Sequence, residues 1–109
     1  MAEDFDVDLL RAAISQGRIH WHQHAFERLL ERGITRAEIV RAIMDGEVVE
    51  VYAMDRPYQS CLMLNVEADP VHVVAAADPD ALICHVITAY RPDLQHFEPD
   101  WKTRKKESS

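Results

Sequence analysis

Three side chains on one short stretch have the types and spacing for phosphodiester chemistry: His24, Arg28 and Arg32. If a helix opens near His24, positions i, i+4 and i+8 lie along one side of it, each step drifting about 40° from perfect alignment. Guanidinium groups bind and neutralise phosphate, and an imidazole can move protons near neutral pH. Phe26, Leu29 and Leu30 point to a different side, so this polar row is not the core stripe. The competing reading is a solvated face in which Glu27 and Glu31 pair with Arg28 or Arg32 at helical spacing. Residue types alone favour that blander reading.

Other histidines offer further chemistry. His20, His22 and His24 alternate, so on one strand they would share a face and could hold a metal. The run straddles a strand-to-helix junction, however, and no Cys or carboxylate cluster supports it, so neither metal nor cofactor is expected. His72 lies in Val71-His72-Val73-Val74, on the same side as Val74. In Ile83-Cys84-His85-Val86-Ile87-Thr88-Ala89-Tyr90, strict alternation puts His85 and Tyr90 on opposite faces. A histidine inside a strand is more often a satisfied structural residue than a catalyst. A glycine-rich phosphate loop, a nucleophile elbow and a CxxC pair are all absent from the sequence, which excludes those enzyme classes.

The elements that must position these residues follow from periodicity. Leu9, Leu10, Ala13 and Ile14 form a short helical stripe stopped by Gly17, and Arg18 to Trp21 reads as a short extended piece. Phe26, Leu29, Leu30 and Ile34 give a second helix from about His24, closed by Gly33. Thr35-Arg36-Ala37-Glu38 is a capping box, with Ile39, Val40, Ile43 and Met44 as the buried face of a third helix ended by Gly46. Beyond Gly46 the period becomes two. Residues 47–53, 58–66, 71–77 and 82–90 read as four strands. Their links, Asp55-Arg56-Pro57, Ala68-Asp69-Pro70 and Asp78-Pro79-Asp80, are too short for parallel crossovers. The expected fold is α+β, with two or three N-terminal helices packed on one face of a four-stranded antiparallel sheet. Residues 1–17 form an acidic N-terminal helical segment, 18–101 a single domain, and 102–109 a basic, flexible tail.

The chain has 109 residues and a net charge of −7. That average hides a bipolar distribution: residues 1–8 carry −4, residues 9–44 carry +3, residues 45–100 carry −9 and the last nine carry +3. Acidity belongs to the sheet half, so contacts with an anion such as RNA are expected on the basic helices and tail, at Arg36, Lys102, Arg104 and Lys105. The first eight residues are acidic, unlike the start of a signal peptide, and no apolar run approaches the roughly 20 residues that span a bilayer. Cys61 and Cys84 sit in apolar runs without knuckle or redox spacing, as expected for reduced core thiols in a cytoplasmic protein. No membrane partner is expected.

Taken together, several motifs resemble a small bacterial family, the domain of unknown function 4258. They are His24-Ala25 with Glu27-Arg28, then Glu31-Arg32-Gly33-Ile34, and Ile43-Met44-Asp45-Gly46-Glu47-Val48-Val49. Asp55-Arg56-Pro57, His72-Val73-Val74, the run from Val86 to Asp93, and Trp101-Lys102-Thr103-Arg104-Lys105 extend the resemblance over roughly residues 18 to 105. That family is similar to the RelE-like toxins of the barnase–EndoU–colicin–RelE fold. The resemblance implies a metal-independent endoribonuclease acting on RNA, neutralised by an antitoxin that is often a small zinc-finger protein with a DNA-binding domain. Carried over position by position, it implies His24 or His72 for proton transfer, Arg28 and Arg32 for phosphate stabilisation, and Tyr90 as donor or stacking ring. An inactive protein-binding module of the same fold is the alternative.

Overall fold

The structure, a computed structural model, describes residues 5–67 and 69–106. Residues 1–4 of the acidic segment, Ala68 of the expected second link and residues 107–109 of the tail lie outside the described residues. The chain runs through α1 (Val7–Ser15), β1 (Ile19–Trp21), α2 (Gln23–Arg32), α3 (Arg36–Asp45), β2 (Glu47–Tyr52), β3 (Ser60–Asn65), β4 (Val71–Asp78) and β5 (Ile83–Tyr90).

Helix boundaries follow the local signals. Asp6 caps α1 by accepting from the Asp8 amide. Gly33 closes α2 at φ +67°, a left-handed conformation that costs glycine nothing. The Thr35–Glu38 capping box is formed reciprocally at α3. Gly46 is required for a different reason: a Cβ there would overlap the carbonyl oxygens of Ala42 and Leu64.

The sheet corrects one expectation. It has five strands, ordered β1-β5-β4-β3-β2, and β1 pairs with β5 in parallel. The four expected strands form the antiparallel part. The extended piece after α1 becomes a parallel edge strand because two helices and three strands intervene before its partner, well above the minimum crossover length. The helices cover one face, burying Leu10, Ala13, Leu29, Ile39, Ala42 and Ile43 against Met63, Val73, Ala75, Val86 and Ala89. Cys61 and Cys84 are free thiols in this core, and burial pushes both up to about 12, far from thiolate chemistry. Arg11 ties α1 to the end of α3 by donating to the Ile43 and Gly46 carbonyls.

The opposite face is partly closed by residues 91–106. Phe97 is buried and pairs with Arg104 in an isolated bridge, while the Lys105 amide donates to the His96 carbonyl. The expected flexible tail is thus, over residues 102–106, part of a strap held against the sheet. Lys102 pairs with Glu47 at 3.2 Å, and Arg104 donates to both Glu50 oxygens at 2.9 and 3.1 Å. Opposite charges 54 and 55 residues apart carry no local pattern that would announce this pairing. Among the described residues, no helix is long and apolar enough to cross a membrane.

Candidate functional site

The His24 row exists on α2 but does not assemble a site. His24 is 95% exposed, with Nδ1 3.8 Å from Glu27, and Arg28 is an exposed partner of Glu31 at 4.0 Å. Arg32 turns away to donate to the Ala89 carbonyl at 2.6 Å, fastening α2 to β5. Arg36 lays its guanidinium over Phe26 at 4.6 Å and Trp21 at 5.8 Å. Of the four cations expected to meet RNA, Arg36, Lys102 and Arg104 therefore already have partners in the fold. The Lys105 side chain is exposed.

His72 and Tyr90 do come together, on the far face of the sheet from α2. They are cross-strand partners, and His72 is fully buried between the rings of Tyr90 and Phe97. Its Nε2 lies 2.7 Å from the Trp101 carbonyl, which can only accept, so the proton sits on Nε2. Nδ1 then accepts from the Tyr90 hydroxyl at 3.1 Å. Burial lowers the His72 pKa and raises that of Tyr90. Both ring nitrogens are spent and the strap shields them, so His72 reads as a structural residue. It is not grouped with His24 and Arg28.

A different set converges on the open part of that face. The β1–β5 register puts His20 beside His85, while Ile19 and Trp21 turn to the core. His22 is the N-cap of α2, yet its side chain makes no capping bond, which leaves the ring to lean on β5. His22 Nε2 and His85 Nδ1 are 3.3 Å apart. The three ring centroids are separated by 4.5, 5.3 and 5.4 Å. From the β2–β3 hairpin, Tyr58 stacks on His85 at 5.2 Å and 16°, and its hydroxyl donates to Asp78. The Asp78 carboxyl is held below its usual range, chiefly by the Ala81 amide. His22, Asp55, Arg56, Tyr58, Ser60 and His85 line a cavity of about 360 Å³. Burial lowers the His85 pKa, charge on His20 or His22 would lower it further, and the Asp78 carboxylate opposes the shift.

One parity expectation is also corrected. His85 and Tyr90 share a face, because the register steps from Val74↔Thr88 to Ala75↔Val86 and leaves Ile87 as an extra residue. A bulge of one residue reverses the alternation beyond it.

Comparison with known proteins assigns the sequence to a family. A model of a domain of unknown function, DUF4258, matches residues 21–91, about two thirds of the chain. The chain belongs to the DUF4258 family. No curated protein and no solved structure matches it. The matched DUF4258 segment runs from the last residue of β1 to just past β5, so it includes His22, Tyr58 and His85 and leaves His20 and most of the strap outside. His20 and His22 were legible as an alternating pair and His85 as a strand histidine. Their convergence depends on the β1–β5 pairing, which no local pattern reveals.

Proposed function

We propose that this DUF4258 chain is an endoribonuclease that cleaves RNA through the ribose 2′-hydroxyl, with its chemistry on the open sheet face. The observation that carries the reading is the convergence of His22, His85 and the Tyr58 ring on one accessible cavity, with the His20 ring packed against both histidines. In the proposed step one imidazole takes the 2′-hydroxyl proton and the 2′ oxygen attacks phosphorus. The bond to the 5′ oxygen breaks, and a second, protonated imidazole returns a proton to it, leaving a 2′,3′-cyclic phosphate. Tyr58 offers a stacking surface for a base, and Arg56 a cation at the cavity wall. The RelE-like relationship, a cytoplasmic toxin role and a neutralising zinc-finger antitoxin belong to the same proposal, on the resemblance described above.

The test is incubation of the purified chain, free of any partner, with single-stranded RNA and with ribosome-bound messenger in EDTA. Cleavage leaving cyclic phosphate ends is expected, with DNA of the same sequence untouched. His85→Ala should lower the rate about 10²- to 10⁴-fold, the usual contribution of a positioned acid or base. His24→Ala should leave the rate within about twofold. Intact RNA under all conditions overturns the reading. It would favour a second one, an inactive protein-binding module, which the acidity of Asp55, Asp78 and Asp80 around the hairpin and β4–β5 turn supports because that charge opposes a polyanion.

A further inference from the structure

Three imidazoles gathered at one point need an explanation that one proton relay does not exhaust. The ligand nitrogens of His20, His22 and His85 all lie within 4.8 Å of one another. Beyond the 3.3 Å contact between His22 and His85, none of the three rings has a hydrogen-bond partner among the described residues, and His85 Nε2 is buried without one. A structural histidine is normally tied down at both nitrogens, as His72 is. These three are packed against each other instead.

We infer that His20, His22 and His85 form a binding site for one divalent transition-metal ion of the zinc class. Two nitrogens bound to tetrahedral zinc at about 2.0–2.1 Å stand about 3.3 Å apart. The His22–His85 separation already has that value. His20 must close by at most about 1.5 Å, from within 4.8 Å to that spacing, and its side chain is exposed and makes no hydrogen bond among the described residues. All-nitrogen donors select zinc, copper or nickel over magnesium and calcium, which take oxygen. His22 and His85 also line the cavity of about 360 Å³, which leaves room beside them for an exchangeable fourth ligand, as in open zinc sites. Asp55 on the cavity wall and Asp78, held by Tyr58 beside His85, make the surroundings attractive to a cation. His24, the third member of the alternating run, is not part of the site: helix α2 has carried it away to Glu27.

The metal site does not depend on the cleavage reading, although the two use the same lone pairs. Bound metal would occupy them and suppress cleavage, so the ion would act as an inhibitor of that activity. The full chain, made without a polyhistidine tag and stripped with chelator, is titrated with Zn²⁺ by calorimetry and with Co²⁺ by visible absorbance. One ion per chain at micromolar or tighter affinity is expected, with the intense absorbance of tetrahedral cobalt. His20→Ala and His85→Ala should each weaken binding at least tenfold, whereas His24→Ala and His96→Ala should not change it. The exposed His20 and His22 keep the test decisive if His85→Ala does not fold. No saturable binding, affinity unchanged by His20→Ala and His22→Ala, or equal loss in His96→Ala would overturn the site. Binding is read without RNA, so a chain that binds zinc but spares RNA sinks only the nuclease reading, and the converse sinks only the metal.

Discussion

A histidine's role depends on what its two nitrogens touch, and His72 and His85 show the contrast within one sheet. His72 donates to a carbonyl and accepts from a hydroxyl, both buried, which fixes one neutral tautomer. Replacing it with alanine leaves the Trp101 carbonyl and Tyr90 hydroxyl unpaired and opens a cavity. A loss of about 3 kcal/mol or more is expected in urea denaturation. The linkage with pH has a definite sign. The folded-state pKa of His72 lies below its ordinary 6.5, so the unfolded chain binds the proton more readily. The His72 contribution should therefore be complete above about pH 7 and decline as pH falls below 6.5. Glu50 on β2, Arg104 on the strap and Tyr90 on β5 face the ring: Glu50 opposes the shift and Arg104 adds to it. Denaturation from pH 8 to 5, repeated on His72→Gln, checks this; an unaltered profile in the variant would exclude His72 as the source.

At the scale of elements, local chemistry was legible and long-range pairing was not. The Thr35 capping box, the left-handed Gly33 and the switch from helical to twofold period gave three helices and four strands close to their observed bounds. Gly46 reads as a helix stop in the sequence, and in the structure its missing side chain also lets β3 approach α3. Gly46→Ala should cost about 1–3 kcal/mol as an overpacking change. Gly33→Ala, with open space around it but φ +67°, should cost about 1 kcal/mol. Thermal melts separate the two; equal shifts would argue against the close approach at Gly46. What stayed hidden was whatever depends on residues far apart in sequence. Ile19–Trp21 has too few residues to show a period, and its partner is more than 60 positions away. The Ile87 bulge has no signature in a run of apolar side chains, yet it decides that Tyr90 and His85 look the same way. For these two reasons the candidate site lies on the sheet and not on α2.

For the whole molecule, the bipolar charge takes on a structural meaning. The basic tail folds onto the acidic sheet, so Lys102 and Arg104 neutralise Glu47 and Glu50. Under the proposed function, RNA or an antitoxin would therefore meet the cavity rim, where Arg56 stands, and α2, where Arg28 is exposed. The strap also divides the open face into a dry end at His72 and a wet end at the three histidines. Its Asp100 holds the turn by accepting from the Lys102 and Thr103 amides, which lowers that carboxyl to about 2. Trp101 follows in a left-handed conformation at φ +62°, and its carbonyl reaches His72. Truncation before Trp101 removes that acceptor together with the Arg104–Glu50 pair and the Arg104–Phe97 contact. Together these changes should cost roughly 2–4 kcal/mol, or about 10 °C in Tm for a domain of this size. With the dry end opened to water, the His72 pKa should return toward 6.5, measured by NMR titration of its ring protons. The two readouts distinguish a strap that shields His72 from a tail resting on a stable sheet: the latter would leave both the melt and the titration unchanged.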